Sequence, residues 1–264
     1  MTGRVFRAIP TLLRVAWAEM VAYRAEMVIW ILTATMPLVM LALWNAAAAD
    51  GPIGQYGQAE FARYFAITLV VRQLTGCWIL WELNYMIRQG GLSSWLLRPM
   101  HPLTWNLAET LAAVPVRLAV LTPIVGALFL WRPDIAFVPS ALQAGLFLVS
   151  VVLALLVSWL VQCLFGVLSF WADQSLGLFQ AWFGLWALLS GYFLPIDLLP
   201  QAARDLAPWL PFHASLGAPI DVLTGGATSP WEIVARQLGW VLALGAALTL
   251  SWRAGVRRYG AYGA

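Results

Sequence analysis

Residues 88–102 read Arg88-Gln89-Gly90-Gly91-Leu92-Ser93-Ser94-Trp95-Leu96-Leu97-Arg98-Pro99-Met100-His101-Pro102. Two arginines, a histidine and two prolines here interrupt two long apolar runs, so this segment decides how the chain is laid out on either side. Leu92, Trp95 and Leu96 stand at i, i+3 and i+4 and would give a short helix one apolar face, with Ser93 and Ser94 off it. Pro99 cannot continue a helix and disfavours helical geometry at Arg98, so the helix should stop near there. Two readings fit this pattern. A short amphipathic helix can dock its apolar face into a groove of a soluble partner. It can equally be a connector on the membrane surface, with Trp95 in the headgroup layer.

Outward from this segment the composition is that of an integral membrane protein. The 264 residues are 62% hydrophobic and 10% charged, against about 25% charged in a soluble domain. No charge occurs between Glu26 and Asp50, between Asp134 and Asp173, or between Asp173 and Asp197. Each gap can hold a spanning helix of about 20 residues. The expected fold is all-α and integral to the membrane, one transmembrane domain over residues 1–264. Spans are expected near 27–48, 61–81, 105–130, 138–165, 176–194 and 233–252. Residues 1–24 place Phe6, Ile9, Leu13, Trp17 and Met20 on one helical face and Arg4, Arg7 and Arg14 on the other, the pattern of an interfacial helix. Residues 82–104 form the loop around Arg88–Pro102. Residues 195–231 are too rich in proline and polar groups to span, and Ala202–Leu210 should form a short surface helix. Tryptophans such as Trp44, Trp78, Trp81, Trp105, Trp131, Trp171 and Trp252 fall near proposed span ends, as an aromatic belt requires.

All 15 basic residues are arginine, and they are scattered, so nucleic acid is not an expected partner, whereas membrane lipids are. The absence of lysine excludes a Walker A loop, whose lysine contacts nucleotide phosphates. With the N-terminus inside, nine arginines (Arg4, Arg7, Arg14, Arg24, Arg88, Arg98, Arg253, Arg257 and Arg258) lie in cytosolic segments, against four outside (Arg63, Arg132, Arg204 and Arg236). The arginine bias therefore puts both termini and the 82–104 loop in the cytosol.

Arg72 and Arg117 fall inside spans. Arg72 lies nine residues from Trp81, roughly 13 Å along a helix, and Arg117 twelve from Trp105, roughly 18 Å. Both depths approach the half-thickness of the hydrocarbon core, about 15 Å. Such arginines either line an interior path and attract an anionic group, or bond to carbonyls and neighbouring helices to hold the bundle together. Gly191 and Pro195 permit an irregular break at the end of span five, next to Tyr192. His101 and His213 lack a Cys or His at ligand spacing, so no metal site is expected. His213, beside Pro211 and Phe212, reads as an outer-loop residue. Cys77 and Cys163 read as buried small hydrophobes.

Five stretches give the chain a family resemblance. They are Tyr23-Arg24-Ala25-Glu26 entering span one, Gly91-Leu92-Ser93-Ser94-Trp95-Leu96-Leu97-Arg98-Pro99, and Gly166-Val167-Leu168-Ser169-Phe170-Trp171. Ser190-Gly191-Tyr192-Phe193-Leu194-Pro195 followed by Leu210-Pro211-Phe212 is the fourth, and the tail Arg257-Arg258-Tyr259-Gly260-Ala261-Tyr262-Gly263 the fifth. In this order they resemble the permease subunit of a bacterial type-2 ATP-binding-cassette exporter. The family's usual acidic residue after the first loop glycine is Leu92 here, or Gly91 if the register starts at Gly90. The resemblance implies an interfacial elbow helix, six spans, a cytosolic coupling helix and a re-entrant outer segment after span five. It implies a permease dimer in the bacterial inner membrane, coupled to separate ATPase subunits that hold ATP and Mg. Arg88, Leu92, Trp95, Leu96, Arg98 and Pro99 would then contact the ATPase. Arg72, Arg117, Gly191, Tyr192 and Pro195 would line the translocation path or the bundle interior.

Two other classes fit the sequence less well. A proton-driven secondary carrier needs an intramembrane acid or histidine relay, for which Glu109 alone is poor, and no internal repeat is visible. A membrane enzyme acting on lipid, with Arg72 and Arg117 binding a headgroup, has no credible nucleophile or paired acid and base.

Overall fold

The computed structural model describes residues 36–172, 174–225 and 228–259, with Thr11, Arg14, Val15, Trp17, Ala18 and Ala22 before them. Those six are helical and exposed; the rest of the expected elbow helix and the first part of span one lie outside the described residues, as does the tail from Gly260. Helices follow in the order α1 (Met36–Ala47), α2 (Gln58–Leu74), α3 (Ile79–Arg88), α4 (Leu92–Leu96), α5 (Pro102–Trp131) and α6 (Ala141–Val167). Then come α7 (Ser175–Leu189), α8 (Gln201–Leu206), α9 (Pro211–Ser215), α10 (Gly217–Thr224) and α11 (Pro230–Tyr259). Short 3-10 turns lie at Pro133–Ile135, Leu168–Phe170, Ile196–Leu198 and Ala207–Trp209.

Helix boundaries follow local chemistry. Ser140 and Gln143 form a reciprocal capping box at the start of α6, satisfying two N-terminal donors. The carboxylate of Glu60 accepts the Gly57 N–H ahead of α2 at 3.0 Å. Pro102 opens α5, where a missing N–H costs nothing. Pro115 and Pro123 lie inside the same helix without ending it, as spanning helices allow.

Among the described residues, four stretches are long and apolar enough to cross a membrane: Gln58–Arg88, Pro102–Trp131, Ala141–Phe170 and Pro230–Tyr259. Met36–Ala47 and Ser175–Leu189 are apolar but shorter. α7 has 15 residues, about 22 Å at 1.5 Å per residue, less than the ~30 Å hydrocarbon core. It stops at Leu189 and not at the expected 194, because Gly191 takes φ +89°, a left-handed turn that ends helical hydrogen bonding.

α6 is the axis of the bundle. It touches α11, α3, α10, α9 and α7, and it is uncharged along its whole length. Gln237 of α11 is fully buried. Its amide donates to the carbonyls of Ser150 (3.0 Å) and Ala214 (2.8 Å) and accepts from the Ser150 hydroxyl (2.7 Å). One polar side chain thereby ties α11, α6 and α9 together, with no amide group left unmatched at its core. Most of the surface of α5 and α11 is uncovered by protein, whereas the α2–α3 stretch is mostly buried.

The segment after α7 departs from the expected outer loop. A surface helix does form, but at Gln201–Leu206 with a 3-10 turn behind it. Every residue of α9 is buried, and so are Leu216 and most of α10. His213 is therefore a core residue, not a loop residue. It is 3% exposed, and its Nε2 lies 2.8 Å from a carboxylate oxygen of Asp221. Apolar Pro211, Phe212, Leu216, Ile220 and Val222 draw this proline-rich stretch against the bundle, and their burial outweighs its poor spanning composition.

Candidate functional site

The stretch expected as a continuous second span is broken. α2 ends at Leu74, residues 75–78 are non-helical, and α3 resumes at Ile79. The break separates two packed clusters. Phe61, Phe65, Val71 and Leu74 belong to one, with Leu216 and Ile220. Cys77, Ile79, Leu83 and Ile87 belong to the other, with Leu92, Trp159 and Trp252. A broken helix at membrane depth frees carbonyls that lipid cannot satisfy, and here side chains meet them. Arg117, 8% exposed on α5, donates from Nη1 to the carbonyls of Gln73 (3.2 Å) and Gly76 (2.6 Å). Gln162 on α6 donates from Nε2 to the Cys77 carbonyl at 2.9 Å.

The two membrane-depth arginines, on separate spans in the sequence, meet at this break. The position a Cβ would take on Gly76 lies 3.5 Å from Arg117 Nη1 and 3.7 Å from Arg72 Nη1. Their roles differ. Arg117 serves the backbone. The guanidinium carbon of Arg72 lies 5.4 Å from the centre of the Trp186 ring, a cation–π distance. Its Nε is buried with no hydrogen-bond partner among the described residues.

Arg72 opens onto a cavity of about 330 Å³. Its apolar wall is an aromatic stripe on α7, Phe179, Trp182, Phe183 and Trp186, continued by Trp78 and Trp81. Ser158, Gln162, Gln180 and Ser215 supply the polar positions. The stripe runs at i, i+3, i+4 and i+7, so its face was legible in the sequence; what it faces was not. Tyr192 packs on Trp186 with ring centres 5.0 Å apart, behind the Arg72 contact. Gly191 and Pro195 lie outside the cavity wall. Gly191 accepts from the Tyr64 hydroxyl at 2.7 Å, and Pro195 is buried ahead of the Ile196–Leu198 turn.

At the other site, a helix does form within 88–102, over Leu92–Leu96. Its apolar residues divide. Leu92 is fully buried in the α3–α6–α11 cluster, so it packs its own chain. Trp95 is half-buried beside Trp105, ring centres 6.2 Å apart, with the Arg98 guanidinium 4.0 Å above its ring. Leu96 is 39% exposed and Leu97, missed in the sequence reading, 89%. Ser93 donates to the Tyr259 hydroxyl at 3.2 Å, so α4 and the end of α11 share one face of the bundle. Arg88 donates to the Ala172 carbonyl at 3.5 Å, and Pro99 is exposed just beyond the helix.

A family model described as ABC-2 family transporter protein matches residues 21–263, nearly the whole chain. The chain belongs to the ABC-2 transporter family. It is the multi-pass permease component of an ATP-binding-cassette transporter, whose ATPase sites are carried by associated subunits. No curated protein matches the chain.

Proposed function

We propose that this permease works as an exporter subunit in the bacterial inner membrane. It pairs with a second copy or a related permease, keeps both termini in the cytosol, and receives the stroke of cytosolic ATPases through α4. ATP and Mg are held by those ATPases. The observation that carries the coupling role is the exposed pair Leu96 and Leu97 on a short helix between two spans. This apolar pair at a helix end is left uncovered by the described residues and suits a groove on a soluble subunit. The arginine bias supports the orientation. Both remaining arginines of the loop are engaged, Arg98 on Trp95 and Arg88 on Ala172, so they shape the loop while Leu97 reaches out.

The test is co-expression with a candidate ABC ATPase subunit from the same genome, pull-down, and vesicle ATPase activity. Cysteine labelling at Ser94 and at Ser229, both exposed, reports the sidedness. The expected result is a stable complex, with Ser94→Cys reachable only from the cytosol. An ATPase that does not bind, or labelling of Ser94→Cys from outside, overturns this reading.

A further inference from the structure

The break between α2 and α3 does more than bend a span. Every carbonyl bond that Arg117 and Gln162 make there uses donors of those two residues, while the Nε of Arg72, on the same break, stays unmatched. The Oε1 of Gln162, another lining residue, is also buried without a partner among the described residues, because the amide is oriented by the Cys77 carbonyl that accepts its Nε2. The cavity is thus lined by a guanidinium and an amide among aromatic rings, each with one polar atom buried behind the wall and unmatched among the described residues. Native structures leave few such groups, and each calls for a partner.

Among the described residues no acidic side chain lines the cavity, and two guanidinium groups flank Gly76 beside it. The local field is positive in a medium of low dielectric, which repels cations and draws anions. Much of the rest of the wall is aromatic, with a few neutral polar side chains, and a small inorganic ion would leave the aromatic part uncovered. The volume, about 330 Å³, is roughly twice the ~150 Å³ cavity that admits a benzene. On one side the wall runs out to Trp78, Trp81 and Phe183, which are 51%, 43% and 38% exposed. That side opens laterally from the bundle, toward lipid or a second permease.

We propose that this cavity binds an amphiphilic monoanion. Its carboxylate or equivalent head lies on Arg72, and an apolar body of one or two rings, or a short acyl chain, lies among Phe179, Trp182 and Trp186. It enters from the side bordered by Trp78 and Trp81. That the ligand is cargo rests on the permease reading; that it binds does not.

The experiment uses the full-length chain in nanodiscs and equilibrium dialysis, with empty nanodiscs as the blank. The probes are 2-naphthoate and its neutral isostere 2-naphthamide. The wild type is expected to bind the naphthoate at least tenfold more tightly than the amide, a difference of about 1.4 kcal/mol. Arg72→Gln should remove that preference and leave amide binding unchanged. Ser158→Trp, which fills the cavity and keeps the charge, should abolish binding of both probes and keeps the test open if Arg72→Gln does not fold. Wild type that binds neither probe, prefers the amide, or binds the naphthoate equally in Ser158→Trp overturns the proposal. A failed ATPase pull-down would overturn the exporter reading and leave this binding result standing.

Discussion

The Arg117 guanidinium crosses from α5 to donate to the Gly76 carbonyl at 2.6 Å, stitching the one interruption in the α2–α3 stretch to its neighbour. This is a structural use of a charge in the membrane, and it predicts an asymmetry. Arg117→Gln leaves the Gln73 and Gly76 carbonyls without their donor. Unsatisfied buried groups cost about 1–3 kcal/mol each, so the thermal midpoint in detergent should fall clearly. Arg72→Gln removes the cation–π contact with Trp186 but no hydrogen bond to the backbone, and should lower the midpoint less than Arg117→Gln. Equal losses for the two variants would refute the division of roles.

Gly191 holds the turn after α7. Its φ of +89° disfavours any side chain, and a Cβ there would run into the Tyr64 hydroxyl. Gly191→Ala should therefore be worse than Tyr64→Phe, which loses only the bond to the Gly191 carbonyl, about 1 kcal/mol. Yield of monodisperse protein and thermal midpoint in detergent give the ordering. A Gly191→Ala protein as stable as wild type would show that the turn tolerates a Cβ.

The leucines of the 88–102 loop should separate folding from coupling. Leu92→Asp places a charge in a fully buried position and should prevent stable insertion, since an unpaired buried charge is strongly unfavourable. Leu97→Ala should fold normally and weaken ATPase binding. Burying a leucine contributes about 1.5–3 kcal/mol, roughly tenfold to a hundredfold in affinity. Trp95→Ala should do less to binding than Leu97→Ala, because the ring is already covered in part by Trp105 and Arg98. Pull-down of the ATPase with each purified variant measures the ordering, and Trp95→Ala outranking Leu97→Ala would return the docking role to the tryptophan.

His101 predicts a pH dependence. Burial holds its pKa below the ordinary 6.5, and its Nδ1 accepts the Leu103 N–H at 3.3 Å to cap α5, which only the neutral ring can do. The native state therefore binds fewer protons than the unfolded chain as the pH falls through about 6.5 and below. The contribution is full above that value and lost on acidification. The thermal midpoint should fall as the medium is acidified through this range, and His101→Asn, which can still cap, should flatten that slope. A slope unchanged in the variant would assign the dependence to another group.

The sequence by itself determined the solvent of this protein and its local punctuation. Charge-free gaps identify membrane helices, since a charge in hydrocarbon is costly wherever the helix packs. Pro99 marks the end of a short helix at 88–102, because that limit is a property of the local backbone. Depth too is one-dimensional, so Arg72 and Arg117 were legible as membrane-level charges. The tertiary structure alone decided what those residues meet. No local signal reveals that Arg117 is engaged by carbonyls at Gln73 and Gly76 while Arg72 faces an aromatic cavity, because both facts depend on which helices lie beside α2. The same holds for Leu92 turning inward while Leu97 points out, and for His213 in the core. A helical face can be read from spacing of three and four residues, but its neighbour is set by packing between segments as far as 166 residues apart, as in the Ser93 bond to the Tyr259 hydroxyl.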